Sequence, residues 1–219
     1  DAQTASKFLD ATFGALPQGD TLPKVAPPAS IRGDTLVIPL DKPQTSIRMG
    51  GNSILVDDPD FITAYVVNHI LGGGSFTSRL YKEVREKRGL AYSVFSYLSA
   101  FDEQGFFFVG VGTRSERAAE VKDVITAELE RMAEEGPTKV ELRAAKDYLK
   151  GAYALRFDTS DKIASQLVGL QVQGRDVNYI NVRNEMIESV TQEDAQRVAR
   201  RIFSSPLLTI MVGQPPVVQ

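Results

Sequence analysis

No cysteine occurs among the 219 residues, and histidine occurs once, at position 69. The first absence excludes disulfides, thiolate nucleophiles and cysteine-held metals; it leaves the redox compartment open, because a cysteine-free chain suits either. The second removes the usual ligand pair of a zinc hydrolase, which takes three protein ligands, commonly two histidines on one helix face, with a carboxylate as base. Four residues before His69 stands Tyr65 and four after it Gly73, so neither a direct nor an inverted two-histidine motif can be assembled. G-x-S-x-G is missing too, and His69 would be the only base for a serine nucleophile. A solitary helix histidine in this setting reads as a structural or half-exposed side chain.

An excess of one charge is also missing. Lysine and arginine number 25 against 28 aspartates and glutamates, a formal net charge of −3, and no basic block is long enough to follow a phosphate backbone. That argues against a nucleic-acid partner. Apolar runs such as residues 106–111 fall far short of the roughly 20 residues that span a bilayer, so no membrane span is expected. What is present is the balance of an ordinary globular chain with one sizeable core. The chain opens at Asp1 without a charged and then apolar leader, and reads as a processed chain or a fragment.

Residues 5–16 carry Ala5, Phe8, Leu9, Phe13 and Leu16 at helical spacing, which predicts a short amphipathic helix with one buried face. Pro17, Pro23, Pro27 and Pro28 then follow with Gly19 among them, a density that sustains neither helix nor central strand. Residues 1–30 are therefore read as a helix and proline-rich linker from an upstream domain, and residues 31–219 as the main domain. Within it, residues 35–40 and 45–50 are strand-like. A helix is predicted over 59–71, with Asp57 or Asp58 as cap. A second covers 76–88, started by Ser75 or Thr77 and closed by Gly89 as a left-handed terminal residue. Residues 90–101 and 106–112, rich in aromatic and β-branched side chains, form a hairpin across residues 102–105. Helices follow: Val121, Ile125, Leu129 and Met132 make a stripe, Thr138 with Glu141 is a capping box, and Thr191 with Asp194 opens a later helix. A last strand covers 207–212. The order predicts an α+β domain: an antiparallel-rich sheet of about five or six strands with helices packed on one face.

Two features carry candidate chemistry. The run Gly72-Gly73-Gly74-Ser75-Phe76 could cradle an anion on backbone amides, but it follows a predicted helix rather than a strand and has no lysine-serine or lysine-threonine at P-loop spacing. A helix-to-helix connector is the plainer reading. Arg85 and Tyr92 stand seven residues apart, one in the last turn of the predicted helix and the other at the start of the next strand. A guanidinium and a phenol converging on one oxygen would stabilise negative charge developing on a carbonyl. The plainer alternative is that Arg85, with Lys87 and Arg88, answers the negative end of the helix dipole, and that Tyr92 is a core or rim tyrosine.

The stretch from Leu71 to Val94, with Gly72-Gly73-Gly74-Ser75-Phe76 and Arg85-Glu86-Lys87-Arg88-Gly89-Leu90-Ala91-Tyr92, resembles the second, C-terminal domain of pitrilysin-type zinc peptidases, the group of insulin-degrading enzyme and mitochondrial processing peptidase. The similarity runs from about Thr35 to Val212. It implies a half-barrel domain of a zinc metalloendopeptidase in which Arg85 and Tyr92 bind the substrate carbonyl and stabilise the transition state. Gly72, Gly73, Gly74, Ser75 and Phe76 are implied to bind substrate. The inverted zinc motif of that family is absent here. Zinc is thus implied to be held by a homologous zinc-bearing domain or subunit, none being held in this chain, and the substrate to be a peptide or unfolded polypeptide. A different class stays open: a non-catalytic scaffold such as the core subunits of respiratory complexes, which resemble processing peptidases.

Overall fold

In the strand Gln44–Asn52, here β2, every second residue is buried, among them Thr45, Ile47 and Met49, while Arg48 is exposed. That period-two pattern marks a sheet with one covered face. Four further strands join it in a computed structural model that describes residues 1–20, 23, 26 and 33–214: β1 (Thr35–Pro39), β3 (Ala91–Ala100), β4 (Gly105–Arg114) and β5 (Leu208–Gly213). The order is β1-β5-β2-β4-β3, with β1 and β5 parallel and every other pair antiparallel. β3 forms one edge, pairing only with β4 among the described residues.

Helices α2 (Phe61–Asn68), α3 (Ala118–Glu135), α4 (Lys139–Gly151), α5 (Ser160–Val172), α6 (Tyr179–Glu188) and α7 (Gln192–Phe203) complete the domain. Ile47, Phe107, Val109, Val66, Ile125, Met132 and Ile202 are buried in one core between the sheet and the helices. Each such side chain contributes roughly 1.5–3 kcal/mol by leaving water. Phe107 of β4 meets Phe203 of α7 edge to face, ring centroids 4.9 Å apart. Two ionic ties lock the helical layer. Arg197 and Arg201 of α7 grip Asp60 and Asp58 just before α2, at 2.7 and 2.6 Å. Arg79 forks onto Glu141 in the first turn of α4, with Nε to Oε1 at 2.8 Å and Nη2 to Oε2 at 2.7 Å.

The α+β prediction holds, as do the hairpin and the cap at Gly89, whose φ is +59°. Thr138 and Glu141 make both bonds of the capping box, and the Thr191 hydroxyl accepts from the Asp194 N–H. Other expectations need correction. The first helix, α1 (Ala2–Phe13), has no buried residue; Phe8, Leu9, Phe13 and Leu16 are exposed. The periodicity there records a face, and no element of the described chain covers it. Pro27 and Pro28 of the expected linker lie outside the described residues. α2 begins at Phe61 without a side-chain cap, because Asp58 instead accepts from the Asp60 N–H at 2.8 Å. Ser78, not Ser75 or Thr77, starts the second helix: its backbone is extended and its Oγ lies 3.4 Å from the Tyr81 N–H.

Candidate active site

The stretch that carries Arg85 is wound wider than an α-helix. Over Tyr81–Glu86 the turns are π-helical, and the Lys87 N–H reaches back to the Lys82 carbonyl at 2.9 Å. The same winding occurs at His69–Gly73, where the Gly74 N–H bonds the His69 carbonyl at 2.8 Å. Such turns recur at functional sites because they re-aim side chains without ending a helix. At Gly89 the chain reverses, Leu90 N–H bonding the Val84 carbonyl at 2.9 Å, and β3 starts two residues on. The tight turn returns Tyr92 to Arg85.

The guanidinium carbon of Arg85 lies 4.6 Å from the Tyr92 ring centre and 5.0 Å from that of Tyr81, four residues earlier on the same helix face. One Arg85 Nη donates to the Tyr81 hydroxyl, and Nε and the second Nη have no partner among the described residues. Phe76 packs edge-on against Tyr81 at 5.0 Å. Tyr92 is 82% exposed, and its hydroxyl has no partner among the described residues. Arg85 is thus held by two rings with donors to spare, beside a phenol that is free to donate.

These groups line a cleft of about 1220 Å³ that runs along the outer edge of β3 and is walled by α2, α5 and α6. Gly72, Gly73, Ser75 and Phe76 line it with Arg85 and Tyr92; Gly74 does not. The glycines also have a packing reason. A Cβ at Gly72 would stand 2.6 Å from the Ser96 nitrogen and one at Gly74 2.7 Å from the His69 carbonyl oxygen. Ser96 itself donates to Asn68 Oδ1 at 2.7 Å, which fixes β3 against the end of α2. As an anion cradle the run is poorly placed: the Gly74 amide is already bonded to the His69 carbonyl at 2.8 Å.

The residues present do not suit zinc. His69 is stacked on Tyr148 at 5.0 Å, burial lowers its pKa from the ordinary imidazole value, and the described residues contain no group of three histidines or carboxylates able to hold a metal ion. Spacing alone did not single out Tyr81, although its position one turn before Arg85 was a usable signal. The wall of Tyr65, Tyr153, Tyr179 and Arg183 was not legible, since it gathers residues from three separate elements.

Comparison with known proteins bears on the chain as a whole rather than on these side chains. A family model described as the peptidase M16 inactive domain matches residues 1–149. An uncharacterized zinc protease of Streptomyces coelicolor is 35% identical over 147 residues, which are 67% of this chain and 32% of that protein. The chain thus spans about a third of the length of that relative. The crystal structure of a peptidase M16 inactive domain from Pseudomonas fluorescens superposes with a TM-score of 0.89 at 28% identity, covering 100% of this chain and 52% of that one. A chain of complex III from Candida albicans superposes with a TM-score of 0.74 at 17% identity, covering 95% and 52%, which shows a shared fold and no more.

Proposed function

The chain belongs to the peptidase M16 family, as an inactive domain, and on that premise we propose that it supplies the arginine and tyrosine donors of a zinc metalloendopeptidase site. The zinc, its ligands and the base belong to a homologous zinc-bearing domain or subunit, and the substrate is a peptide or unfolded polypeptide lying in the cleft. The observation that carries this reading is the Arg85 guanidinium 4.6 Å from the Tyr92 ring, with unspent donors on both side chains at the mouth of the cleft. Arg85 presents fixed positive charge and Tyr92 a neutral O–H; both donate to a carbonyl oxygen as it gains negative charge. Tyr81 is a positioning residue that holds Arg85 by a hydrogen bond and its ring face. Gly73, Ser75 and Phe76 line the same cleft and contact the peptide on the near side. The likeness to a complex III chain bears on fold alone, and nothing in the cleft favours a scaffold over this reading.

The test is kinetic, in the complex assembled with the zinc-bearing domain and checked by sizing. Tyr92→Phe lowers kcat by roughly ten- to a thousandfold, as expected when one donor to a developing oxyanion is lost. Arg85→Ala does at least as much harm, a charged donor being the stronger. A rise in KM with kcat kept would reduce the pair to substrate grip; unchanged kinetics in both variants would remove it from the site.

A further inference from the structure

The charged residues that line the cleft are Arg85, Arg156 and Arg183, and no carboxylate joins them, although the whole chain carries a net charge of −3. Arg183, on α6, is only 5% exposed. Its Nη1 donates to the Leu149 carbonyl at 3.2 Å and to Asn184 Oδ1 at 3.3 Å. Nε and Nη2 bond to nothing, and no carboxylate lies within ion-pair distance among the described residues. The equally buried Arg79 shows the ordinary arrangement, clamped by Glu141 at 2.7 Å. A buried guanidinium without a counter-ion is uncommon, because desolvating the charge is costly unless something repays it.

Two rings recover part of that cost. The Arg183 guanidinium carbon lies 4.1 Å from the Tyr153 ring centre and 5.5 Å from that of Tyr65. Stacking on ring faces leaves the edge of a guanidinium fork open for in-plane donation, the geometry that matches a carboxylate. Arg156, on the exposed turn Ala154–Phe157, has no acidic partner either; the neighbouring Asp158 is taken by Lys162 at 2.9 Å. Burial raises the pKa of the Tyr179 hydroxyl in the same wall, which keeps it a neutral donor.

From this we infer that Arg183 and Arg156 form a carboxylate subsite, which selects peptides bearing an acidic group as they lie along β3. The inference rests on the proposed reading that a peptide occupies the cleft. Arg183 is the buried anchor and Arg156 the exposed second cation. The carboxylate belongs to an aspartate or glutamate side chain or to the peptide's own C-terminus.

Fluorescence anisotropy on the 219-residue chain separates these sources with three labelled peptides of otherwise equal neutral sequence. One has an amidated C-terminus, one a free C-terminus, and one an amidated C-terminus with a single internal glutamate. At low salt at least one carboxylate-bearing probe binds about tenfold more tightly than the neutral one, and the arm that does so identifies the source. The advantage shrinks with added salt. Arg156→Gln, at an exposed position, cuts it about threefold; Arg183→Lys, which keeps charge but loses the fork, removes most of it. Circular dichroism checks the fold of each variant, and should Arg183→Lys not fold, Arg156→Gln decides. Equal affinity for all three probes overturns the inference, as does absence of binding. A preference untouched by Arg156→Gln but abolished by Arg85→Ala also overturns it, placing the carboxylate at the donor pair. Equal affinity leaves the peptide cleft intact and overturns the subsite alone, whereas absence of binding counts against the cleft as well, which the Tyr92→Phe rate test then decides independently.

Discussion

Replacing Glu141 by glutamine removes one charge from a tie between the turn that leads to Arg85 and the start of α4. Burial alone would raise the Glu141 pKa, but the Arg79 fork and the Thr138 N–H outweigh it and hold the carboxyl down to about 2, from an ordinary value of 4.5. The gap between those values corresponds to at most about 3.5 kcal/mol, at roughly 1.4 kcal/mol per pH unit. Glu141 keeps 26% of its side chain in water, so screening reduces the figure to roughly 1.5–2 kcal/mol. Arg79 has no other carboxylate within ion-pair distance among the described residues, its Nη1 is buried without a partner, and the glutamine amide oxygen can accept a bond but restores no charge. Because the folded pKa lies below the unfolded one, the contribution is complete above about pH 4.5 and lost as pH falls toward about 2. Urea unfolding followed by circular dichroism, for the wild type and Glu141→Gln at intervals from pH 7 to pH 3, tests this. The wild type is more stable by about 1.5–2 kcal/mol at neutral pH, equivalent to about 3–8 °C in Tm for a chain of this size, and the difference narrows steadily below pH 4.5. Asp58, Asp60 and Glu83, whose pKa values are also lowered, are common to both proteins and cancel. A difference that stays constant with pH, or one under about 0.5 kcal/mol at pH 7, would refute the reasoning.

Gly72→Ala pushes a methyl into the Ser96 backbone and lowers unfolding free energy by about 1–3 kcal/mol, visible as an earlier urea midpoint. Gly89→Ala has no neighbour to strike, so its loss of about 1–2 kcal/mol comes from the left-handed backbone alone, and Gly89→Asn is milder; equal losses would argue against that origin. Tyr92→Phe leaves Tm unchanged, since the hydroxyl has no partner, whereas Arg85→Ala loses about 1 kcal/mol with its contacts to Tyr81 and Tyr92. Metal analysis after dialysis against zinc finds no stoichiometric ion in this chain; tight one-to-one binding would contradict the reading of His69.

Much of the local structure was legible because its causes are local. Alternation in residues 45–50 names the buried face of β2, Thr138 and Glu141 cap each other across one turn, and Gly89 supplies the positive φ that ends a helix. Arg85 and Tyr92 belong with these, since the chain reverses at Gly89 between them and the tight turn returns one side chain to the other. The winding of the two π-helical turns was not legible. At His69–Gly73 it goes with close packing of Gly72 on Ser96 and of Gly74 on the His69 carbonyl, contacts that no periodicity records.

Taken alone, the sequence determined which faces are apolar, the caps of α4 and α7, and which two donors stand on either side of the turn at Gly89. Tertiary structure decided the rest. β5 enters between β1 and β2, so those two neighbours in sequence are not partners, and β3 is left as the edge that borders the cleft. Tyr65, Tyr153 and Arg183, far apart in the chain, share one wall only because α2, the turn before α5 and α6 pack together. Periodicity encodes burial relative to an unspecified partner and caps encode bonds within a turn. The long-range choice of partner is made by the whole core at once, as are the uncompensated arginine and the cleft that follow from it.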